Sequence, residues 1–173
     1  MELRKTVAAL SGIAMLALAT SAMGAPAANG GPGDNDPDVL EVRHYALTLE
    51  KAQKAAAAMQ SINQLVAANP ALNGAMSADN TTGKETITQQ AQTIDSKYPQ
   101  VAAIIHQNGL QTREFIVLTG AIINDVGFVT LKKQGMIPSY PPGMITPQNI
   151  ALIEGNWPAF QAIAAKMAPP NGN

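Results

Sequence analysis

The 173-residue chain contains no cysteine. That removes thiol catalysis, thiolate metal sites, disulfides and covalent haem attachment, and it rules out a lipid-anchored lipoprotein. Aromatic residues make up 4% of the chain, too few for stacking platforms that grip bases or sugars. Only two histidines occur, His44 and His106, far apart. A zinc site needs three or four ligands, usually with two at tight spacing, so no metal site and no cofactor is expected. Charged residues are sparse, 13%, and no basic block occurs. Binding to a phosphate backbone needs clustered cations, so nucleic acid is not expected as a partner.

The N-terminus reads as an export signal. Arg4 and Lys5 precede "VAALSGIAMLALATSAMG", apolar, small and uncharged. Ala22 and Gly24 stand at the −3 and −1 positions of a cleavage after Gly24. Residues 1–24 are therefore expected to be a cleaved signal peptide, and the protein periplasmic or secreted. A membrane association follows only if the segment stays uncleaved. The remaining 149 residues carry 9 Lys and Arg against 11 Asp and Glu, a net charge of about −2. That length suits one domain with its own hydrophobic core.

"APAANGGPGDNDPD" (25–38) has no apolar content beyond alanine and predicts a flexible tether. Its Asp34-Asn-Asp36-Pro-Asp38 run starts like a calcium loop. The glycine position of such a loop falls on Val39 and the closing glutamate on Tyr45, so calcium is not expected. A single helical domain is expected over 39–168, with a flexible tail at 169–173. "VLEVRHYALT" suggests an extended or helical lead-in.

Thr48 is a candidate N-cap for a helix over 49–68, where Ala52, Ala55, Met59, Ile62 and Val66 recur at steps of three and four. Asn69-Pro70 is expected to stop it, because the residue before proline is pushed out of the helical region. "ALNGAMSADNTTGK" (71–84) reads as a loop. A helix over 85–96 presents Ile87, Ala91 and Ile94. Pro99 opens a short helix that Gly109 closes.

Thr112 is expected to cap the long segment from about 113 to 134, which contains "FIVLTGAIINDVGFVTL" and ends at Gly135. It is apolar nearly all round, the mark of a buried central helix or a membrane span. Its apolar run is a little shorter than a span requires, and a buried helix is expected. "MIPSYPPGMITPQN" is a proline-rich connector. Thr146-Pro147 restarts a helix, Gly155-Asn156 breaks it, and a last helix over 158–167 carries Phe160, Ile163 and Met167 inward. The fold expected is all-α: an irregular helical bundle around one central apolar helix.

Asn124 and Asp125 interrupt that helix near its middle. Asn124 shares a face with Gly120 and Gly127, where another helix can come close, so it is expected to hydrogen-bond across a helix contact. Asp125 is the harder case. A carboxylate in a core is costly unless paired. Its partner is expected to be one of the cations or a helix N-terminus, or else it lines a pocket that holds a cationic or polar ligand. Asp125, Asn124, Arg113 and Glu114 are thus the candidate ligand-binding residues, and none is assigned as catalytic. Arg113 is expected to reach a carboxylate such as Asp95, and the scattered methionines to fill the core.

"YALTLEKAQK", "AANPAL", "YPQVAAIIHQNGLQTREFIVLTGAII" and "NIALIEGNWPAF" occur in that order over about 45–167. This order resembles a family of small exported bacterial all-helical proteins with no known activity. The resemblance implies an all-α exported domain and brings no catalytic residues. The family's long helix is Ala- and Leu-rich at its middle, so Asn124-Asp125 departs from it. The expected function is an exported, non-enzymatic domain that binds a small ligand or a protein partner. The alternatives are an enzyme with an acid/base site at Asp125 using Arg113 or Glu114, and a self-associating envelope protein.

Overall fold

The computed structural model describes residues 35–79 and 85–168. The expected signal peptide, all but the last residues of the tether and the C-terminal tail lie outside the described residues. The described chain is all-α, with eight helices: α1 (Pro37–His44), α2 (Leu49–Ala68), α3 (Pro70–Asp79), α4 (Ile87–Lys97), α5 (Pro99–Gln107), α6 (Thr112–Lys133), α7 (Pro147–Gly155) and α8 (Trp157–Met167). Helix α6 packs against α1, α2, α4, α5, α7 and α8, and α2 also packs along α8. The bundle is built around one apolar helix, as the patterning predicts.

Local chemistry explains the boundaries. Thr48 caps α2 by accepting from Lys51 N, and its predicted apolar stripe is fully buried. Thr86 and Gln89 form a reciprocal capping box at α4. Thr146 caps α7, with Pro147 in the first turn. Gly109 (φ 74°) and Gly135 (φ 72°) each end a helix in the left-handed region. At both ends the glycine N–H donates to the carbonyl three residues back and the next N–H to the one five back, His106 and Ile105 in one case, Lys132 and Leu131 in the other.

Four local expectations change. Pro37 and Asp38, read as tether, lie in α1, because Asp36 caps that helix and Asp38 Oδ2 accepts from Ile87 N at 2.7 Å. Residues 71–79, read as loop, are helical. Asn69-Pro70 ends α2 but also starts α3, with Asn69 Oδ1 accepting from Leu72 N and proline tolerated in the first turn. Thr112 is the first residue of α6 and not its cap. Gln111 holds that place, and the Thr112 hydroxyl donates to Asp95 at 2.5 Å. At 22 residues α6 is long and apolar enough to cross a membrane, contrary to the expected shortfall; 67% of its most apolar window is buried inside the bundle.

The two glycines of α6 separate. A Cβ on Gly120 would sit 3.3 Å from both methyls of Val42, so its absence sets how closely α1 approaches. Gly127 faces open space. Gly120→Leu is therefore expected to destabilise by about 2 kcal/mol through overpacking. Gly127→Ala is expected to stabilise by up to about 1 kcal/mol through helix propensity. Chemical denaturation of the two variants checks this, and equal effects would contradict the placement of α1.

Candidate functional site

Asp125 is fully buried, and its neighbours Asn124 and Asn149 are 6% and 1% exposed. Asn124 Nδ2 donates to Asp125 Oδ1 at 2.8 Å, and Asn149 Nδ2 donates to Asp125 Oδ2 at 2.6 Å. Each amide also holds a backbone segment that is not helical. Asn124 Nδ2 donates to the Met144 carbonyl at 2.7 Å, in the connector between α6 and α7. Asn149 Nδ2 donates to the Tyr45 carbonyl at 2.8 Å, and its Oδ1 accepts from Leu47 N at 3.1 Å, in the link between α1 and α2. One carboxyl and two amides thus tie α6, α7, the link and the connector together.

This arrangement corrects the expectation for Asn124. Its partner is a carbonyl of the connector, not a neighbouring helix. Neither partner expected for Asp125 is found: among the described residues no cation and no helix N-terminus engages it. The two amides satisfy both oxygens by hydrogen bonds alone. The residue that sequence reasoning missed is Asn149, and its only signal was a polar side chain in the first turn after Thr146-Pro147.

Burial dominates the acid–base behaviour of Asp125. It pushes the pKa up to about 7, against the pull of the two amide donors toward the charged form. Below the ordinary carboxylate pKa the group is neutral in both folded and unfolded chains. As pH rises, the unfolded chain ionises first, and the stability contributed by the neutral buried form is lost up to about pH 7.

Arg113 and Glu114 are not brought to Asp125. The Arg113 fork donates to Glu41 at 2.6 and 2.5 Å rather than to Asp95, and its Nε reaches Thr88 Oγ1 at 3.3 Å. A cation at the start of α6 opposes the helix dipole, and Glu41 offsets that repulsion. Glu114 accepts from Lys51 Nζ at 2.7 Å and from Tyr45 OH at 2.9 Å. The Lys51 ammonium holds the Glu114 carboxyl below its usual range. Tyr45 thus meets Glu114 through its hydroxyl and Asn149 through its backbone. Besides α6 itself, which carries both Glu114 and Asp125, the link joins the two polar groups.

Two surface depressions are lined by other residues. One, of about 410 Å³, lies between α2 and α8 around Gln60, Asn63, Gln64 and Lys166. At its side Asn63 donates to the Ala168 carbonyl, and its buried Oδ1 has no partner. The other, about 40 Å³ beside Met76, Asp79 and Tyr98, has room for a few waters. Tyr98 donates to Asp79, and burial with that bond pushes its pKa up to about 12.

The connector 134–146 carries no charged residue. Lys132 donates to the Pro138 carbonyl, Tyr140 OH to Glu154 at 2.7 Å, and Asn124 to Met144. Ahead of these ties, Met136 is 67% exposed, the only large hydrophobic residue so exposed among the described residues. The expectation that the methionines fill the core holds for Met59 and Met167 and fails here. Met136 stands just after the glycine that closes α6, a position where an apolar side chain usually folds back on the helix.

No family model, no curated protein and no solved structure matches this chain.

Two outcomes follow. Thermal melting of the native chain is expected to fall between pH 5 and 8 by an amount on the order of 3 kcal/mol, and Asp125→Asn is expected to flatten that slope. A slope unchanged in the variant would mean that another group titrates. Asn149→Ala strands Leu47 N, the Tyr45 carbonyl and one oxygen of Asp125, and is expected to cost about 3 kcal/mol in a denaturant titration. A loss under 1 kcal/mol would show that water replaces the amide.

Proposed function

We propose that this protein is an exported, non-enzymatic helical domain that binds a protein partner through its 134–146 connector. The observation that carries the proposal is Met136, two-thirds exposed in an uncharged segment held at three points. A docking element gains affinity when it is ordered before it binds. Methionine suits such a contact, because its thioether adapts to an irregular apolar surface. The partner this chemistry fits presents an apolar hollow with few charges. The sealed position of Asp125 supports a structural role for that residue rather than an acid/base one. The export signal read at residues 1–24 supports a site of action outside the cytoplasm.

A second reading is favoured by the unpartnered Asn63 acceptor beside the groove between α2 and α8. There the ligand is a small molecule with a hydrogen-bond donor.

A photo-crosslinking residue placed at 136 in the full chain, in its own export compartment, tests the first reading. One discrete protein adduct is expected, absent from a control probe at exposed Gln92 and lost when Ile137 and Pro142 become Asp. Equal adducts at both positions would overturn it. Native mass spectrometry of the same preparation checks the second, which predicts a retained small mass that Asn63→Leu releases.

A further inference from the structure

Sulfur is scarce in this chain and unevenly placed. There is no cysteine, so no thiol of the chain competes for an oxidant, and the described methionines are Met59, Met76, Met136, Met144 and Met167. Met59 is 2% and Met167 7% exposed, both inside the core. Met76 packs against the core from α3, and Met144 is half-buried where its carbonyl meets Asn124. Among the described residues, Met136 is the methionine whose side chain stands mostly in water. Oxidation of a thioether requires the oxidant to reach the sulfur, so exposure ranks these side chains.

The fold holds the backbone at 136 and not the side chain. The Met136 N–H donates to the Leu131 carbonyl at 2.9 Å, and the Gly135 N–H to the Lys132 carbonyl at 3.1 Å. Lys132 holds the Pro138 carbonyl, Tyr140 holds Glu154, and buried Ile145 anchors the far end of the connector. A change at the Met136 sulfur leaves all of these ties in place and alters the surface alone. Methionine sulfoxide puts a strong hydrogen-bond acceptor where the thioether was nearly apolar. An apolar hollow offers that oxygen no donor, so it loses its water without replacement.

We propose that Met136 is an oxidation site, and that its conversion to the sulfoxide by a peroxide switches docking off. The sulfur lone pair attacks one peroxide oxygen. An S–O bond forms and the O–O bond breaks. The proton on the transferred oxygen passes to the departing one, which leaves as water. Sulfur gives up two electrons and the peroxide takes them. The switch rests on the reading of the connector as the docking element, since it regulates that element; the oxidation site itself stands on exposure.

The full chain, treated with hydrogen peroxide and quenched with catalase, is followed by peptide mass mapping. One added oxygen is expected on Met136 at a rate on the order of ten times that on Met59 or Met167, with the melting temperature unchanged at the dose that converts Met136 alone. Sulfoxide forming as fast on Met59 or Met167, or melting that falls along with Met136 oxidation, overturns the site. The consequence is read with the photo-crosslinking residue moved to exposed Ser139 on the same connector, so that Met136 stays in place. After that dose and return to the export compartment, the adduct is expected to fall about ten-fold, and methionine sulfoxide reductases are expected to restore it. Met136→Gln, which carries a permanent polar oxygen, is expected to lose the adduct without peroxide. An adduct undiminished by the Met136 sulfoxide overturns the switch and leaves the docking reading standing. An adduct absent from the untreated chain at both 136 and 139 defeats the docking reading and the switch with it, and the mass map still decides whether Met136 is the oxidation site.

Discussion

A carboxyl group in an apolar core must be solvated by the protein itself, and the packing of this bundle is arranged around that demand. Asp125 is met by the amides of Asn124 and Asn149. Both amides come from helices, and both spend their remaining bonds on chain that is not helical. The carboxyl is therefore a junction. It joins the middle of α6 to the first turn of α7, and through them to the link at 45–47 and to the connector at Met144. An apolar residue of the same size would keep the packing of α6 and lose the register of both non-helical segments. Buried polar groups of this kind are costly when half satisfied, and here both carboxyl oxygens and both amide nitrogens are used.

The outer polar contacts have a different character. Arg113 with Glu41, Lys51 with Glu114 and Lys97 with Asp79 are substantially exposed, and pairs of that kind add little stability each. Their effect is positional. Arg113 brings the start of α6 to both α1 and α4, and Lys51 with Tyr45 brings α2 and the link to Glu114. Stability comes from the apolar interior around Phe115, Phe160, Met59 and Leu118. Stability and surface chemistry are thus largely separated, and the connector exposes Met136 while its Ile145 joins the buried core.

Much of this was legible in the sequence. The stripe of α2, the inward faces of α4 and α8, the glycine stops at 109 and 135, and the Thr-Pro start of α7 follow from residue spacing and local hydrogen bonding. Those are effects within one or two turns, so neighbouring residues specify them. The misreadings share a cause. Asn69-Pro70 is both a stop and a start, and only the packing of Leu72 decides that a helix continues beyond it. Thr112 has the chemistry of a cap, but Asp95, 17 positions earlier, takes its hydroxyl.

The sequence by itself determined most of the helices, their apolar faces and the presence of one polar pair in the central helix, because periodicity and capping act locally. The partners of that pair are 20 and 24 residues away, at Met144 and Asn149, and the choice between them and any cation was made by the tertiary structure alone. The reason is physical. Hydrogen bonding in a core depends on which groups chain folding brings within about 3 Å, and no local pattern encodes that distance.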